Sequence, residues 1–181
     1  MDYFYKNFRF CPVCGTKYNQ KETDGENLVF QCRKCQYRLY INMNPAVVAV
    51  IPNAFKKEEL LLTTRNMNPG KGLLSIPGGF LKFGEAPDIA IRREMQEELG
   101  MEVKPKSILT VGITRYEYQG FVYLNTPIYY LMETIETLPE VLDKLENQKV
   151  DFYNVSKLLE HTGVLAFDAD VRAIEKYIDI L

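Results

Sequence analysis

Residues 78–101 read GGFLKFGEAPDIAIRREMQEELGM, and five acids fall among them: Glu85, Asp88, Glu94, Glu97 and Glu98. Pro87 fits the first turn of a helix, where a missing N–H is harmless, and Gly100 fits its C-terminal cap. Between them Ile91, Met95 and Leu99 recur every fourth residue and predict an inward stripe. Glu94, Glu97 and Glu98 stand at i, i+3 and i+4, so the spacing predicts that their carboxylates share another face. Like charges so placed repel, and Arg93, four residues before Glu97, relieves part of that repulsion. A hard divalent cation relieves more, because Mg²⁺ takes oxygen ligands and bridges to phosphate. Gly78 and Gly79 let a backbone carbonyl approach the same ion. Two readings stand at this point, a salt-bridged solvent face and a metal site.

Upstream, AVVAVI (46–51) predicts a buried strand from its Val and Ile content, and ELLLTTR (59–65) a second. NMNPGKG (66–72) reads as a loop, and LLSIPGGF (73–80) as one short strand ending in the double glycine. Downstream, ILTVGITRYEY (108–118) and FVYLNTPIYYLMETI (121–135) read as two longer strands joined around Gln119 and Gly120. VDFYNV (150–155) is a further strand, with Ser156 as cap of the helix beginning at Lys157. Asp168 is the expected cap of a last helix, with Val171, Ile174 and Ile178 on one face. Interleaved helices and strands give an α/β class with a mixed sandwich.

All four cysteines lie near the N-terminus, in CPVCG (11–15) and CRKC (32–35). Each pair is a Cys-x-x-Cys turn, and 17 residues separate Cys14 from Cys32. That spacing suits tetrahedral thiolate coordination of Zn²⁺ by Cys11, Cys14, Cys32 and Cys35, with a hairpin between the pairs. Gly15 eases the first turn. Four protein ligands leave no open position, so such an ion is structural. Two disulfides or free thiols are the alternative. Arg33, Lys34 and Arg38 permit contact with nucleic acid, but they serve equally as a solvated surface. A boundary falls near Met43, where INMNPAVVAVIP (41–52) turns from polar to apolar.

The 181 residues suffice for one domain and a small appendage. A net charge of −2 argues against a strongly basic nucleic-acid binder. No apolar run of about 18 residues predicts a membrane span. The start MDYFYKNFRF lacks the apolar core of a signal peptide, so a cytoplasmic location is expected. In that reducing setting cysteines serve as metal ligands more often than as disulfides.

Gly79, Glu85, Arg93, Glu94, Glu97, Glu98 and Gly100, with Met95 and Met101 at the apolar positions, match the full signature of the Nudix hydrolase family. The preceding TTRNMNPGKGLLSIPGGF (63–80) resembles the family's run into that box, with Leu73 where an aromatic is common. So many fixed positions favour the metal site over the solvent face. The resemblance implies a Nudix α/β/α sandwich with a mixed sheet and a loop–helix–loop box. It implies hydrolysis of a diphosphate linkage in a nucleoside diphosphate joined to another moiety. It further implies that Glu94, Glu97 and Glu98 bind Mg²⁺ or Mn²⁺ with the Gly78 carbonyl, that Arg93 orients them, and that Glu85 is structural. Glu146, six residues ahead of Phe152, is the candidate base from a later loop. Phe152 and Tyr153 stand where several relatives carry a Trp-Phe-like strand.

A zinc ribbon at 1–42 before a Nudix domain at 43–181 resembles the NADH pyrophosphatases and a related group acting on ADP-ribose or FAD. The NADH enzymes carry an SQPWPFPxS-type array after the box. Here KPKSILTVGITRYEYQG (104–120) stands in that place and the chain has no Trp, which favours ADP-ribose, FAD or a similar dinucleotide. Alternatives are NADH, a dinucleoside polyphosphate, an RNA cap or an NTP, or a non-catalytic nucleotide-sensing or nucleic-acid-binding module. Tyr116 and Tyr118 stand about where dinucleoside-polyphosphate hydrolases carry a tyrosine, and read as base-stacking or as sheet surface. His161, the only histidine, receives no role. The expected partners are a nucleotide diphosphate and, by analogy, a second copy in a homodimer, without membrane or nucleic acid.

Overall fold

The computed structural model describes residues 8–18, 29–118 and 121–181. The chain divides into two compact units, one reaching Met43 and including Glu117–Tyr123, the other made of Asn44–Tyr116 and Leu124–Leu181.

In the first unit, β1 (Val29–Gln31) and β2 (Arg38–Tyr40) pair antiparallel around the Cys32–Cys35 turn. A bridge between Phe10 and Lys17 closes the other cysteine turn in the same way. The segment expected as a hairpin between the pairs lies largely in 19–28, outside the described residues. Phe30 is buried, its ring 5.8 Å from Phe8 and 5.3 Å from Tyr18. Among the described residues, so small an aromatic core leaves the unit in need of a crosslink.

The second unit is organised by β3 (Asn44–Val50), whose side chains are apolar on both faces. Val48 and Val50 enter one core, and Val47 and Ala49 the other, because successive side chains point to opposite faces. β4 (Glu59–Arg65) repeats this, with Leu60 and Leu62 in the first core and Leu61 in the second. Helices α2 (Val155–Glu160) and α3 (Asp168–Ile178) cover the first core, and α1 (Pro87–Leu99) covers the second. The result is the expected α/β/α layering.

One sheet runs β6 (Gly78–Phe80), β3, β9 (Phe121–Met132), β7 (Pro105–Val111), with β8 (Thr114–Tyr118) also on β9. β3 and β9 are parallel while β6 and β7 pair antiparallel, so the sheet is mixed. The second sheet runs β10 (Asn147–Asn154), β4, β5 (Leu74–Ser75).

Four local expectations change. LLSIPGGF is two strands, because Pro77 offers no N–H to a ladder; β5 pairs with β4 and β6 with β3. The 108–118 stretch also divides, with β7 and β8 separated at Gly112 and Ile113. Asn154, not Ser156, caps α2: its Oδ1 accepts from the N–H groups of Ser156 at 3.1 Å and Lys157 at 3.3 Å. Asp168 is the first residue of α3 and Phe167 its N-cap; Ala169, Ala173, Ile174 and Tyr177 form the buried face, with Val171 and Ile178 half-buried beside it. The junction at Gln119 and Gly120 lies outside the described residues. Among the described residues no helix is long and apolar enough to cross a membrane.

Candidate functional site

Helix α1 begins at Pro87 and ends at Leu99, closed by Gly100, whose φ of 63° is the left-handed cap. Its buried stripe is Ala90, Ile91, Met95 and Leu99. Arg93 is the hub of the acids around it. Its Nε and Nη2 fork onto Glu85 at 2.7 and 2.8 Å. Nη1 donates to Glu94 at 2.7 Å and Glu97 at 2.9 Å, and Nη2 also reaches the Phe80 carbonyl at 3.1 Å. The fork holds the Glu85 carboxyl down at about 2. Lys82, with its Nζ at 3.1 Å, and then Arg93 lower Glu97. Glu94 moves upward, because burial outweighs its bond to Arg93.

Glu98 departs from the expected common face. It is 4 % exposed, and its Oε2 has no hydrogen-bond partner. Burial, reinforced by the charges of Glu94 and Glu146, pushes its carboxyl up to about 8. The cause is helical phase: at 3.6 residues per turn, Glu98 lies about 20° from Ile91, its neighbour two turns earlier on the apolar stripe. Among the described residues, only the four cysteines bring three or more acidic, His or Cys ligand atoms within 4.8 Å of one another. Glu94 and Glu97 are held instead by Arg93, and Glu98 lies apart from that guanidinium on the buried side of the helix.

Glu94, Glu97 and Glu146 line a cleft of about 390 Å³ together with Gly78–Phe80. A Cβ on Gly79 would lie 2.5–2.7 Å from the Glu94 carboxylate, so only glycine lets strand and carboxylate meet. Gly78, at φ 154°, would drive a Cβ into the Val47 carbonyl. Glu146 stands in a turn. Asp143 Oδ1 accepts from the N–H groups of Leu145 at 2.9 Å and Glu146 at 3.2 Å. Asn66 pins the same turn, donating its N–H to the Glu146 carbonyl at 2.7 Å and Nδ2 to the Lys144 carbonyl at 2.7 Å. Partial desolvation in the cleft, then the charge of Asp143, raises the Glu146 carboxyl; Arg65 opposes this. Arg65 donates Nε to the Pro69 carbonyl at 2.7 Å and lies 5.0 Å over the Phe167 ring. No short-range pattern in the sequence signals the hold of Asn66 on this turn, since Asn66 meets Lys144 across 78 residues of chain.

Tyr116 also lines the cleft, edge-on to Phe80 at 5.8 Å and stacked on Phe167 at 6.2 Å. The Tyr118 side chain lies outside the described residues, and His161 ends α2 without lining the cleft. On the floor, Asp170 accepts from the Tyr129 hydroxyl at 2.8 Å and from the Ile76 N–H at 3.3 Å. Burial pushes its carboxyl up to about 7. The native state therefore keeps a proton that the unfolded chain releases near pH 4, and this group's contribution to stability falls as pH rises from about 4 to 7. Asp170→Asn is expected to flatten that part of the stability–pH curve. Denaturant midpoints at pH 5 and pH 8 check this: the loss between them should be smaller in the variant than in the parent chain.

In the first unit the two cysteine turns share one geometry. Gly15 N–H bonds the Cys11 carbonyl at 2.9 Å, and Gln36 N–H bonds the Cys32 carbonyl at 2.8 Å. Gly15 at φ 68° and Gln36 at φ 61° occupy the same left-handed position. Cys11 and Cys35 sulfurs are 3.6 Å apart, Cys14 and Cys32 sulfurs 3.5 Å. A tetrahedral ion with Zn–S bonds of about 2.3 Å needs sulfurs about 3.8 Å apart, whereas a disulfide needs about 2.05 Å. The four thiols are free and arranged as a ligand set. The Thr16 hydroxyl, 3.3 Å from Cys14, holds that thiol down at about 6, near the thiolate form that binds metal.

Comparison with known proteins agrees with this geometry. The NUDIX domain profile matches residues 43–171. The NAD-capped RNA hydrolase NudC of Salmonella heidelberg is 27% identical over 126 residues, 63% of this chain and 46% of the relative. The chain thus spans about half the length of the curated relatives it matches. A NUDIX hydrolase crystal structure from Nitrosomonas europaea shares the fold with TM-score 0.69 and 19% identity, covering 94% of this chain and 90% of that one. The NUDIX domain of Shewanella oneidensis NrtR, solved with ADP ribose, gives TM-score 0.63 and 18% identity, covering 77% and 88%. With an intact box on α1, the sandwich around it and a profile match over most of its length, the chain belongs to the Nudix hydrolase family.

Proposed function

We propose that the chain hydrolyses the diphosphate linkage of a nucleoside diphosphate derivative, with ADP-ribose, FAD or a similar dinucleotide as substrate. The observation that carries this reading is the buried, unpartnered Glu98 beside the cleft walled by Glu94 and Glu97. A buried carboxylate calls for a cation, and Glu94, Glu97 and Glu98, drawn together with the Gly78 carbonyl, would supply a hard oxygen set suited to Mg²⁺ or Mn²⁺. Such an ion supplies neutralisation of phosphate charge and acidifies the attacking water. Arg93, itself anchored by Glu85, fixes Glu94 and Glu97. Glu146, at the cleft wall with a raised pKa, would act as the base toward the attacking water. The ADP ribose on the Shewanella domain supports the substrate class.

Residues 1–42 serve as a zinc ribbon ahead of the Nudix domain at 43–181, and two copies of the chain pair as a homodimer. Metal analysis should find about one zinc per chain. Cys14→Ser, or a strong chelator, should remove it and melt the small first unit, read as loss of its amide-exchange protection.

The kinship with NudC supports a second reading, hydrolysis of NAD-capped RNA. One panel separates the readings: ADP-ribose, FAD, NADH, diadenosine polyphosphates, NTPs and NAD-capped RNA, each with Mg²⁺ and Mn²⁺. ADP-ribose or FAD should give the highest kcat/KM. A lead by capped RNA would establish the second reading, and binding without turnover would indicate a nucleotide sensor.

A further inference from the structure

Asn125 is an unexplained polar group in the floor of the cleft. It is 4 % exposed, its Oδ1 has no hydrogen-bond partner, and its side chain is part of the cleft lining. A buried carbonyl oxygen left unpaired is costly, so such a group is retained where a ligand completes it. Alternation along β9 puts Asn125, Pro127 and Tyr129 on one face, and all three line the cleft.

The sheet register fixes how far along the sheet Asn125 lies from the strand that Glu94 meets. Gly79, against which Glu94 packs, is aligned with Val47 and through it with Ile128. Asn125 is therefore two strands across and three residues along from Gly79. Asn125 shares the face of Val48 and Tyr129 and Gly79 that of Val47, and at about 4.8 Å per strand and about 3.3 Å per residue the separation measured along the sheet is about 14 Å. That is the reach of a ribose and its phosphates. A diphosphate held at Glu94 and Glu97 would bring its base toward Asn125, which lines the same cleft as the aromatic pair Phe80 and Tyr116.

Resting on the hydrolase reading above, we propose that Asn125 reads the edge of the nucleobase, its Oδ1 accepting from an exocyclic amine such as that of adenine. A carboxamide offers an acceptor beside a donor, which complements an amine beside a ring nitrogen. Substrates lacking the amine leave Oδ1 unpaired and are disfavoured.

Calorimetric binding of ADP-ribose and of its counterpart with unsubstituted purine, with Ca²⁺ present to suppress turnover, tests this. The parent chain should favour ADP-ribose by about 10-fold or more. Asn125→Leu should bind both alike, with loss concentrated in KM when turnover is measured with Mg²⁺. Its melting temperature without ligand should be unchanged or higher, because an orphaned polar group has gone; Asn125→Ser serves should the leucine not fit. Equal binding of the two ligands by the parent chain, or discrimination that survives in the variants, overturns the role of Asn125 and leaves the hydrolase reading intact. Failure of the parent chain to bind any nucleoside diphosphate derivative overturns both.

Discussion

Glu98→Gln is expected to lower kcat by about 100-fold or more while leaving the fold in place. The substitution keeps shape and removes charge at the one box carboxylate that is buried with an oxygen unpaired. Burial first, then Glu94 and Glu146, push Glu98 up to about 8. Holding a divalent cation requires the ionised form, so below pH 8 binding must expel a proton. Mg²⁺ affinity should therefore weaken as pH falls below 8, with proton release on binding that is smaller in the variant. The stability sign is opposite to the catalytic one. Between about pH 4.5 and 8 the metal-free native state holds a proton that the unfolded chain has lost, so this group's contribution to stability falls as pH rises. Glu98→Gln should then lose turnover yet gain stability at pH 8 without metal. Glu97→Gln, at a carboxylate 52 % exposed, should lose turnover without that gain. Normal turnover in Glu98→Gln, or an unchanged Mg²⁺ titration, would remove Glu98 from the metal site.

The box was legible because its logic is local. Pro87, the Ile91–Met95–Leu99 stripe and Gly100 fix a helix from neighbours within a few turns, and the structure keeps each of them. The two cysteine pairs were legible for the same reason. Glu98's burial was written in the helical phase but hidden by its grouping with Glu94 and Glu97, since spacing alone does not say where the stripe ends. Pro77 gave a local signal for two strands that the apolar run LLSIPGGF masked. Asn154 and Ser156 are both capping residue types, two positions apart, and only backbone geometry chooses between them. The cleft itself was beyond local reasoning. Asn66 holds the Glu146 turn, Arg65 lies over Phe167, and Asn125 enters through parallel pairing with Asn44. These contacts join residues about 80 to 100 apart, and no short-range pattern encodes them.

Arg93→Ala is expected to lower kcat/KM by about 100-fold and to flatten the loss of stability in acid as well, and the reason for both is one guanidinium. It makes hydrogen bonds to Glu85, Glu94, Glu97 and the Phe80 carbonyl. Its removal leaves Glu85 and Glu94, with side chains 11% and 13% exposed, beside Glu97 without their common cation. Mutual repulsion then spreads the carboxylates away from a geometry that catalysis needs to within fractions of an ångström. Arg93→Lys restores the charge but not the fork onto Glu85, because an ammonium is a single point rather than a planar pair of donors. About a tenfold deficit should remain in that variant. The acid limb gives a readout independent of turnover. Arg93 holds Glu85 at about 2, so the stability from this pair is complete above the ordinary carboxylate value of 4.5 and is lost as pH falls toward 2. Arg93→Ala should shrink the drop in melting temperature between pH 5 and pH 3, and adding Glu85→Ala should shrink it little further. Additive effects of the two substitutions would mean that Glu85 acts on the site through some partner other than Arg93.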